Sequence, residues 1–239
     1  MKRILTIGLL VGIFVFPGVG QAQGIEGGQR LWSIYGGLGT ALQKSGLEVD
    51  GKNLSWGNIG GELGLSYLYF PSEYFGMGID LRYAGFQGSE HYDETPGWWY
   101  RYTFESDFEM HTLQLMAAGR INLNPGSSVR LYIPFGAGAV LSDGSMTYTW
   151  GREFYSYYDD TLYHEDCYEN TERAADVSFG WYAGVGLEFD SNGKITWGLE
   201  ARYNSFRYDY GRLAEDVRGA LLGKDTEHSY ISLVFKLNF

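Results

Sequence analysis

The chain has 239 residues, a formal net charge of −11 and a single cysteine, Cys167. The acidic balance argues against nucleic acids and anionic membrane surfaces as electrostatic partners. One cysteine cannot form a disulfide within the chain, so a disulfide scaffold is excluded. The mean hydropathy is slightly negative. After the first residues, no stretch is apolar over the roughly 20 residues that a membrane-spanning helix needs.

The first 22 residues have the pattern of a secretory signal peptide. A basic start is followed by an apolar run from Ile4 to Phe16 and then by small residues that end at Ala22. The apolar run is too short to span a membrane as a helix, and no cysteine comes directly after it to receive a lipid anchor. We expect cleavage after Ala22, so that 1–22 is removed. The mature chain then consists of a short tether at 23–29 and one domain at 30–239.

Eight later segments are predicted to be β-strands, and the last seven alternate apolar side chains with glycine, polar or charged ones. Because side chains on a strand point alternately to opposite faces, this alternation gives each strand one apolar and one polar face. Most segments also reach the roughly nine to eleven residues that a tilted membrane strand needs. The predicted strands lie near 30–41, 58–70, 75–86, 108–123, 129–141, 177–189, 195–206 and 228–239.

Short and long connections alternate between these strands. The short turns contain proline, glycine or asparagine, which favour turn dihedrals, and lie at 71–73, 124–126 and 190–193. The long connections are polar or aromatic and cover 42–57, 87–107, 142–176 and 207–227. An even strand count with short turns at one end and long loops at the other is typical of bacterial outer-membrane barrels. The predicted fold is therefore all-β: an eight-stranded antiparallel up-and-down transmembrane β-barrel.

The apolar positions form an outward face without a charged residue. A lysine or arginine at the bilayer midplane would cost about 2–4 kcal/mol, so the absence of charge is what a lipid-facing surface requires. Aromatic side chains gather toward the strand ends, where they anchor a barrel at the lipid headgroups. The outward face is predicted to contain Ile59, Leu63, Leu65, Met77, Ile79, Leu81, Leu113, Leu115, Ile121, Leu131, Ile133, Phe135, Val185, Leu187, Leu199, Leu233 and Phe235.

The opposite face carries nine charged residues, four acidic and five basic. The interior of an eight-stranded barrel is only wide enough for side chains to fill it, so we expect these charges to interlock in a hydrogen-bonded network. A narrow gated pore for small solutes is the alternative. The predicted network consists of Glu62, Asp80, Arg82, Arg120, Arg130, Glu188, Glu200, Arg202 and Lys236.

The last predicted strand ends the chain on a phenylalanine, and its apolar face contains Ile231, Leu233, Phe235, Leu237 and Phe239. With this strand and its alternating connections, the chain resembles the small eight-stranded outer-membrane barrels of the OmpA and OmpX type over nearly all of its mature length. The resemblance implies that these five residues form the signal read by the barrel-assembly machinery. It also implies short periplasmic turns and long extracellular loops. Unlike the full-length OmpA pattern, no peptidoglycan-binding domain follows the barrel, so we do not expect a cell-wall anchor.

Soluble eight-stranded barrels of the lipocalin kind are the alternative fold, because they are also exported and their strands also alternate apolar and polar side chains. Such a barrel turns its apolar face inward around a ligand and would expose the nine charges of this chain. The difference between short and long connections and the terminal Phe239 favour the membrane barrel.

Some small outer-membrane barrels remodel lipid A with a hydroxyl nucleophile and a histidine base. A lipid A-modifying acyl hydrolase or transferase is therefore a second alternative function. A nucleophile needs a base within hydrogen-bond reach and a third group that orients the base. Residues of these types lie near the rim in two places, His228 with Ser229, and His111 with Thr112, Glu109 and Asp107. No catalytic motif connects them, and we expect neither an enzyme nor a cofactor.

The third long connection is rich in acidic residues and contains the cysteine. Oxygen ligands suit calcium, and histidine or cysteine suits a transition metal, but the spacing fits no calcium or zinc pattern. No metal site is therefore predicted among Asp159, Asp160, His164, Glu165, Asp166, Cys167, Glu169 and Glu172.

Two further features belong to the long connections. Tyrosine and tryptophan are frequent in the second and third, a composition that suits both binding of a partner and extension of the strands beyond the membrane, and the two roles are compatible. The fourth is predicted to form a short amphipathic helix, because apolar residues recur at helical spacing before a glycine. These apolar residues are Leu213, Val217, Leu221 and Leu222, followed by Gly223.

The sequence thus predicts a non-enzymatic integral protein of the bacterial outer membrane. Its interior is filled and polar, and it has a structural or surface-interaction role through aromatic-rich external loops. The expected partners are outer-membrane lipid and lipopolysaccharide, the barrel-assembly machinery, and an external protein or surface ligand. Nucleic acid is not among them.

Overall fold

The structure is a computed structural model. It describes residues 25–42, 47–49, 52–53, 59–97, 100–156, 161–190, 195–208, 220–222 and 226–239. The predicted signal peptide at 1–22 lies outside these residues. Within them, no helix has the length and apolar character needed to cross a membrane.

Eight antiparallel strands form a closed barrel, in which neighbours along the chain pair and the first strand pairs with the last. Three short strands form a second sheet. Numbered in chain order, the barrel strands are β1 Gln29–Ala41, β4 Ile59–Ser72, β5 Phe75–Gly97, β6 Tyr100–Asn122, β7 Val129–Ser156, β8 Thr161–Asp190, β9 Thr196–Tyr208 and β11 Thr226–Asn238. The short strands are β2 Leu47–Val49, β3 Lys52–Asn53 and β10 Ala220–Leu222. The predicted fold class is confirmed.

Four neighbouring strands, β5 to β8, are much longer than the strands predicted from the sequence pattern. They have 23 to 30 residues, whereas roughly nine to eleven are enough to cross a bilayer. The connections predicted at 87–107 and 142–176 are mostly hairpin arms. Their alternating tyrosine, tryptophan and threonine residues favour strands and form cross-strand pairs. We call this end of the barrel the hairpin end and the opposite end the turn end.

The four long strands continue as a sheet beyond the barrel wall. Pairing between β4 and β5 stops at Ile59 and Gln87, and pairing between β8 and β9 stops at Gly180 and Phe206. Pairing among β5, β6, β7 and β8 continues past both points. The projecting sheet, as we name it, consists of residues 88–97, 100–108, 146–156 and 161–172.

The short sheet joins the first long connection to the fourth, because β2 pairs with both β3 and β10. The helix predicted in the fourth connection is wrong at Leu221 and Leu222. These residues lie in β10, where the backbone groups pair with β2 instead of with a helical turn. The remaining helix positions, Leu213 and Val217, lie outside the described residues.

Short turns join the strands at the turn end. Pro71 is still in β4, so the first turn is formed by residues 73–74. In the second turn the Oδ1 of Asn124 accepts a hydrogen bond from the backbone N–H of Leu131 at 2.5 Å. That bond closes the chain reversal before β7. In the third turn, residues 191–194 lie outside the described part of the chain.

Burial alternates along the barrel strands, so that each has one exposed and one buried face. In β11, Leu233 is 62 % exposed, whereas Ser232 and Val234 on either side are at most 1 % exposed. Every apolar residue assigned to the outward face is exposed except Ile133, which is half-buried. The barrel therefore presents a continuous apolar surface to its surroundings and encloses the other face.

Candidate functional site

The barrel interior holds all nine charged residues of the predicted network. Each of them is at most 4 % exposed. Burying a charge is costly unless it is paired and hydrogen-bonded, so the positions of the partners determine whether the barrel is stable. The charges form three groups, which we name after their central carboxylates: the Glu188, Glu200 and Asp80 groups.

The Glu188 group lies nearest the turn end. Arg130 is directly opposite Glu188 in the β7–β8 ladder, and its Nη2 donates to Glu188 Oε1 at 2.5 Å. Arg120 on β6 donates Nη1 to Glu188 Oε2, and Thr196 donates its hydroxyl to Oε1 at 3.0 Å. One carboxylate thus neutralises part of the charge of two buried guanidinium groups.

The Glu200 group lies in the middle of the barrel. Arg202 donates Nε to Glu200 Oε2 at 2.5 Å. The Tyr132 hydroxyl and the Lys236 ammonium group donate to Oε1 at 2.7 and 3.1 Å. The Arg202 guanidinium also lies 4.5 Å from the centre of the Tyr35 ring, a favourable cation–π distance. Glu200 therefore accepts bonds from three side chains.

The Asp80 group lies next toward the hairpin end. Asp80 accepts hydrogen bonds from the Tyr35 hydroxyl at 2.5 Å and from Arg82 Nη2 at 3.0 Å. Arg82 Nη1 lies 3.6 Å from Glu62 Oε2. Arg202 Nη1 lies 3.9 Å from carboxylate oxygens of both Glu62 and Asp80. These contacts join the Asp80 group to the Glu200 group, so the two groups form one connected network across the barrel interior.

Large aromatic side chains cross the interior opposite glycine residues. A Cβ on Gly64 would lie 2.2 Å from Tyr35 Cζ, and a Cβ on Gly186 would lie 2.3 Å from Tyr132 Cζ. Only the missing side chain leaves room for these rings, so glycine is required by space rather than by backbone dihedrals. The aromatic–glycine pairs are Tyr35 with Gly64, Phe70 with Gly76, Phe86 with Gly60, Tyr132 with Gly186, and Tyr182 with Gly136.

Two apolar layers, one on each side of the charged network, were not predicted from the sequence. The hairpin-end layer includes Phe86, Phe108, Met110, Met146, Phe206 and Tyr208. The turn-end layer consists of Ile25, Leu31, Leu68, Phe70 and Ala118. The signal was present in the sequence, since Phe86 stands four residues after Arg82 and therefore shares its inward face.

The barrel as a whole matches a known protein family. A model of the outer membrane protein beta-barrel domain matches residues 11–239. The chain belongs to this family. As an outer-membrane barrel, it lies in the bacterial outer membrane with its apolar face against lipid.

Solved structures of other outer-membrane proteins are similar to this outer-membrane barrel at low sequence identity. Ail from Yersinia pestis is 16 % identical with a TM-score of 0.41, and the match covers 90 % of this chain and 100 % of Ail. OprG from Pseudomonas aeruginosa is 14 % identical with a TM-score of 0.42, covering 91 % and 99 %. Neisserial surface protein A is 9 % identical with a TM-score of 0.41, covering 87 % and 94 %. No curated protein matches the chain.

The strands separate the histidine and hydroxyl residues that were considered as catalytic pairs. His228 is buried in the interior beside Phe86, with ring centres 5.2 Å apart, whereas Ser229 accepts a hydrogen bond from the outward Tyr203 hydroxyl at 2.9 Å. Thr112 is also inside the barrel, and His111 is on the outer wall. Consecutive strand residues point to opposite faces, so neither pair brings a nucleophile to its base.

The residues considered as metal ligands in the third connection are placed only in part. Asp159 and Asp160 lie outside the described residues, and the other six lie in β8. Across the described ranges, no three histidine, cysteine, aspartate or glutamate side chains form a potential metal site.

Proposed function

We propose that this outer-membrane barrel is a closed, non-enzymatic surface protein whose projecting sheet binds an extended, positively charged segment of an external protein. The observation that carries the proposal is the length of β5 to β8. These strands pair with one another well beyond the last pairs that β5 makes with β4 and β8 makes with β9. Crossing the membrane requires none of this extra length.

The projecting sheet leaves two strand edges open, as far as the described residues show. Residues 88–97 of β5 pair only with β6, and residues 161–179 of β8 pair only with β7. Backbone N–H and C=O groups along such an edge can pair with a strand from another protein. Strand addition would give affinity through the backbone without a preformed pocket.

The composition of these edges favours a basic partner. Residues 88–97 contain three acidic residues and no lysine or arginine, and residues 161–179 contain five acidic residues and one arginine. Charge complementarity speeds encounter and selects the partner. The same charges oppose pairing of two copies of this chain through equivalent edges.

The layered interior supports the proposal that the barrel is closed. Paired charges occupy its middle, and an apolar layer lies on each side of them. We therefore expect no current from the folded protein in planar bilayers. Discrete conductance would contradict this expectation and make the nine interior charges the functional site. The separation of His228 from Ser229 and of His111 from Thr112 supports a non-enzymatic role.

The same proposal includes the route to the membrane. We propose export by the signal peptide at 1–22 and assembly by the barrel-assembly machinery through the apolar face of β11. In the proposed orientation the short turns are periplasmic and the long hairpins are extracellular. Lipopolysaccharide would then contact the extracellular half of the outward face.

Hydrogen–deuterium exchange of the folded barrel in lipid nanodiscs tests the partner proposal. The probes are two synthetic peptides of equal length, one alternating valine with lysine and one alternating valine with glutamate. We expect the lysine peptide to slow amide exchange in residues 88–97 or 161–179, because added strand pairing protects edge amides. The glutamate peptide should have no effect there.

A trimmed barrel provides the control. Replacing residues 88–108 with Asn-Gly keeps the Gln87–Glu109 pair next to a two-residue turn that suits a hairpin. This variant removes the β5 edge and the outer part of β6, so it should lose the protection contributed by that hairpin. Equal protection by both peptides, or by neither, would show that the edges do not bind basic strands.

A further inference from the structure

The outer wall of the barrel has a groove of about 770 Å³ at the extracellular end of its lipid face. Its membrane side is a row of apolar residues. Leu113, Leu141 and Val177 are successive cross-strand partners on β6, β7 and β8, and all three are exposed. This row is the last apolar part of the wall before the surface becomes polar, so it lies where an acyl chain meets its headgroup.

The next row toward the cell exterior is polar and contains small residues. His111 and Asp143 are cross-strand partners in this row. The row continues across the two adjoining strands, where Gly85 of β5 is the cross-strand partner of His111 and Ala175 of β8 is that of Asp143. Because the residues at the two ends of the row are small, the wall is recessed around the imidazole and the carboxylate. The groove therefore has an apolar half and a polar half of different chemistry.

A hydrogen-bonded chain of three side chains borders the groove. Tyr83 Oη and His111 Nδ1 are 2.7 Å apart, and His111 Nε2 and Glu109 Oε1 are 3.2 Å apart. An ionised carboxylate only accepts hydrogen bonds, so Nε2 carries the proton and donates to Glu109. In neutral imidazole Nδ1 then accepts, and the Tyr83 hydroxyl donates to it. The Tyr83 oxygen keeps its lone pairs for a ligand in the groove.

The polar half of the groove contains acceptors and a carboxylate but no cationic side chain. Asp143 lies on the same outward face as His111, and neither lysine nor arginine is among the described lining residues of the groove. Asp176 directly precedes the outward Val177 on β8 and pairs with the buried Ser142, so its side chain belongs to the inward face of the wall and not to the groove. Carboxylates repel phosphate and attract a cation with N–H donors.

We propose that this outer-wall groove binds an amphiphile of the outer leaflet whose headgroup carries a primary ammonium group. The ammonium group donates hydrogen bonds to Asp143 and the Tyr83 oxygen, and the hydrocarbon chain packs on the apolar row. His111 is a positioning residue, because it holds the Tyr83 proton away from the ligand. The proposal is independent of the projecting sheet and of any protein partner.

Two amphiphiles with the same chain and charge test the proposal. Dodecylamine has N–H donors, whereas dodecyltrimethylammonium has none. The probe is the imidazole NMR signal of His111 in the full barrel with ¹⁵N-labelled histidine in neutral micelles, where a His111→Gln sample identifies this signal among the four histidines. We expect saturable shifts with dodecylamine and roughly tenfold weaker binding of the quaternary amine, the size of a lost charge-assisted hydrogen bond.

Carboxylate variants separate the groove from general surface charge. The variant Asp143→Asn should weaken dodecylamine binding roughly tenfold. The control is Asp107→Asn, which removes a charge from an outward position on β6, two residues from Glu109 and outside the groove. This variant should change the affinity for dodecylamine by less than about twofold. Heat-modifiable gel mobility verifies that each variant is folded.

Two results would overturn the proposal. Equal binding of both amphiphiles would show adsorption by charge alone. An equal loss in Asp107→Asn and in Asp143→Asn would show that the groove is not the site.

Discussion

The hydroxyl of Tyr132 on β7 lies 2.7 Å from Oε1 of Glu200 on β9, across the strand that separates them. Both side chains are completely buried. The same carboxylate oxygen accepts a bond from Lys236 on β11. One atom thus connects three strands through the interior, in addition to the backbone ladders of the wall.

Replacing Tyr132 with phenylalanine isolates this bond. The ring remains opposite Gly186, and its cation–π contact with Arg120, at 3.7 Å from the ring centre, is retained. Only the hydroxyl donor to a buried carboxylate is lost, which costs about 1–3 kcal/mol. We expect a lower urea midpoint for the folded barrel, measured by heat-modifiable gel mobility in lipid vesicles.

The matched control is Tyr69→Phe. Tyr69 is 42 % exposed on the outward face, and this substitution should change the urea midpoint much less. If both variants unfold at the same urea concentration, the Tyr132–Glu200 bond contributes nothing specific to stability.

The glycine opposite Tyr35 offers a test of interior packing. In Gly64→Ala the new Cβ would lie 2.2 Å from Tyr35 Cζ, so the ring must move. Tyr35 would then lose its bond to Asp80 and the bond it accepts from Arg82 at 3.2 Å. We expect a loss of about 1–3 kcal/mol in the free energy of unfolding, typical of an overpacked core.

Gly61→Ala on the same strand is the control for the loss of glycine itself. A Cβ there meets only the Gly37 carbonyl oxygen at 3.6 Å, an ordinary contact. Urea unfolding of both variants side by side gives the difference. A Gly61→Ala barrel as unstable as the Gly64→Ala barrel would refute the steric explanation.

The strands and their faces could be predicted because alternation is a local property. In β11, Leu233 and Lys236 are three positions apart and must point to opposite faces of any strand, and closure of the barrel then places one in lipid and one inside. Contacts across the interior are different. The Tyr132–Glu200 bond depends on the strand stagger and on the space above Gly186. Neither can be derived from the alternation of side chains along a strand.

Other features were ambiguous or misjudged for physical reasons. Segments rich in tyrosine and tryptophan suit both binding loops and strands. The length of β5 to β8 therefore became clear only from the strand pairing in the structure. Phe86 and Met110 are apolar at inward positions, but the expectation of a polar interior concealed the layer they form. Glu109 and His111 share a face by spacing alone, whereas Tyr83 joins them only through the β5–β6 register.

The Glu188 group should be the most sensitive part of the charged network. Glu188→Gln keeps the shape of the side chain but removes the negative charge that pairs with both Arg120 and Arg130 in a buried site. Breaking a buried ion pair from one side costs about 3–5 kcal/mol. We expect the variant to assemble poorly, or to unfold at a much lower urea concentration than the wild-type barrel.

Lys236→Met removes a charge from the same interior with a smaller expected effect. Glu200 keeps its bonds to Arg202 and Tyr132, and the nine-residue network changes from four acids and five bases to four of each. Urea unfolding should show a smaller loss than in Glu188→Gln. The reverse order would mean that Lys236, rather than the paired arginines, determines the stability of the interior.

The last residue of the chain has two separable roles. The backbone N–H of Phe239 donates to the Trp32 carbonyl at 2.8 Å, and Trp32 donates back at 3.2 Å, which closes the seam between β1 and β11. Phe239→Ala keeps these bonds and removes only the ring. If the ring belongs to the assembly signal, this variant should fold in vitro with nearly normal stability but insert less efficiently in cells, measured as the folded fraction of membrane-extracted protein.

Two comparisons define the outcome for Phe239. Deleting the residue also removes the seam bonds, so it should lower both assembly and urea stability. Phe189→Ala removes another aromatic ring near the turn end, stacked on Trp197 at 4.6 Å, and should leave the rate of assembly unchanged. Unchanged insertion of Phe239→Ala would exclude the ring from the signal. A slower Phe189→Ala barrel would show that loss of interfacial anchoring, rather than loss of a recognition element, limits insertion.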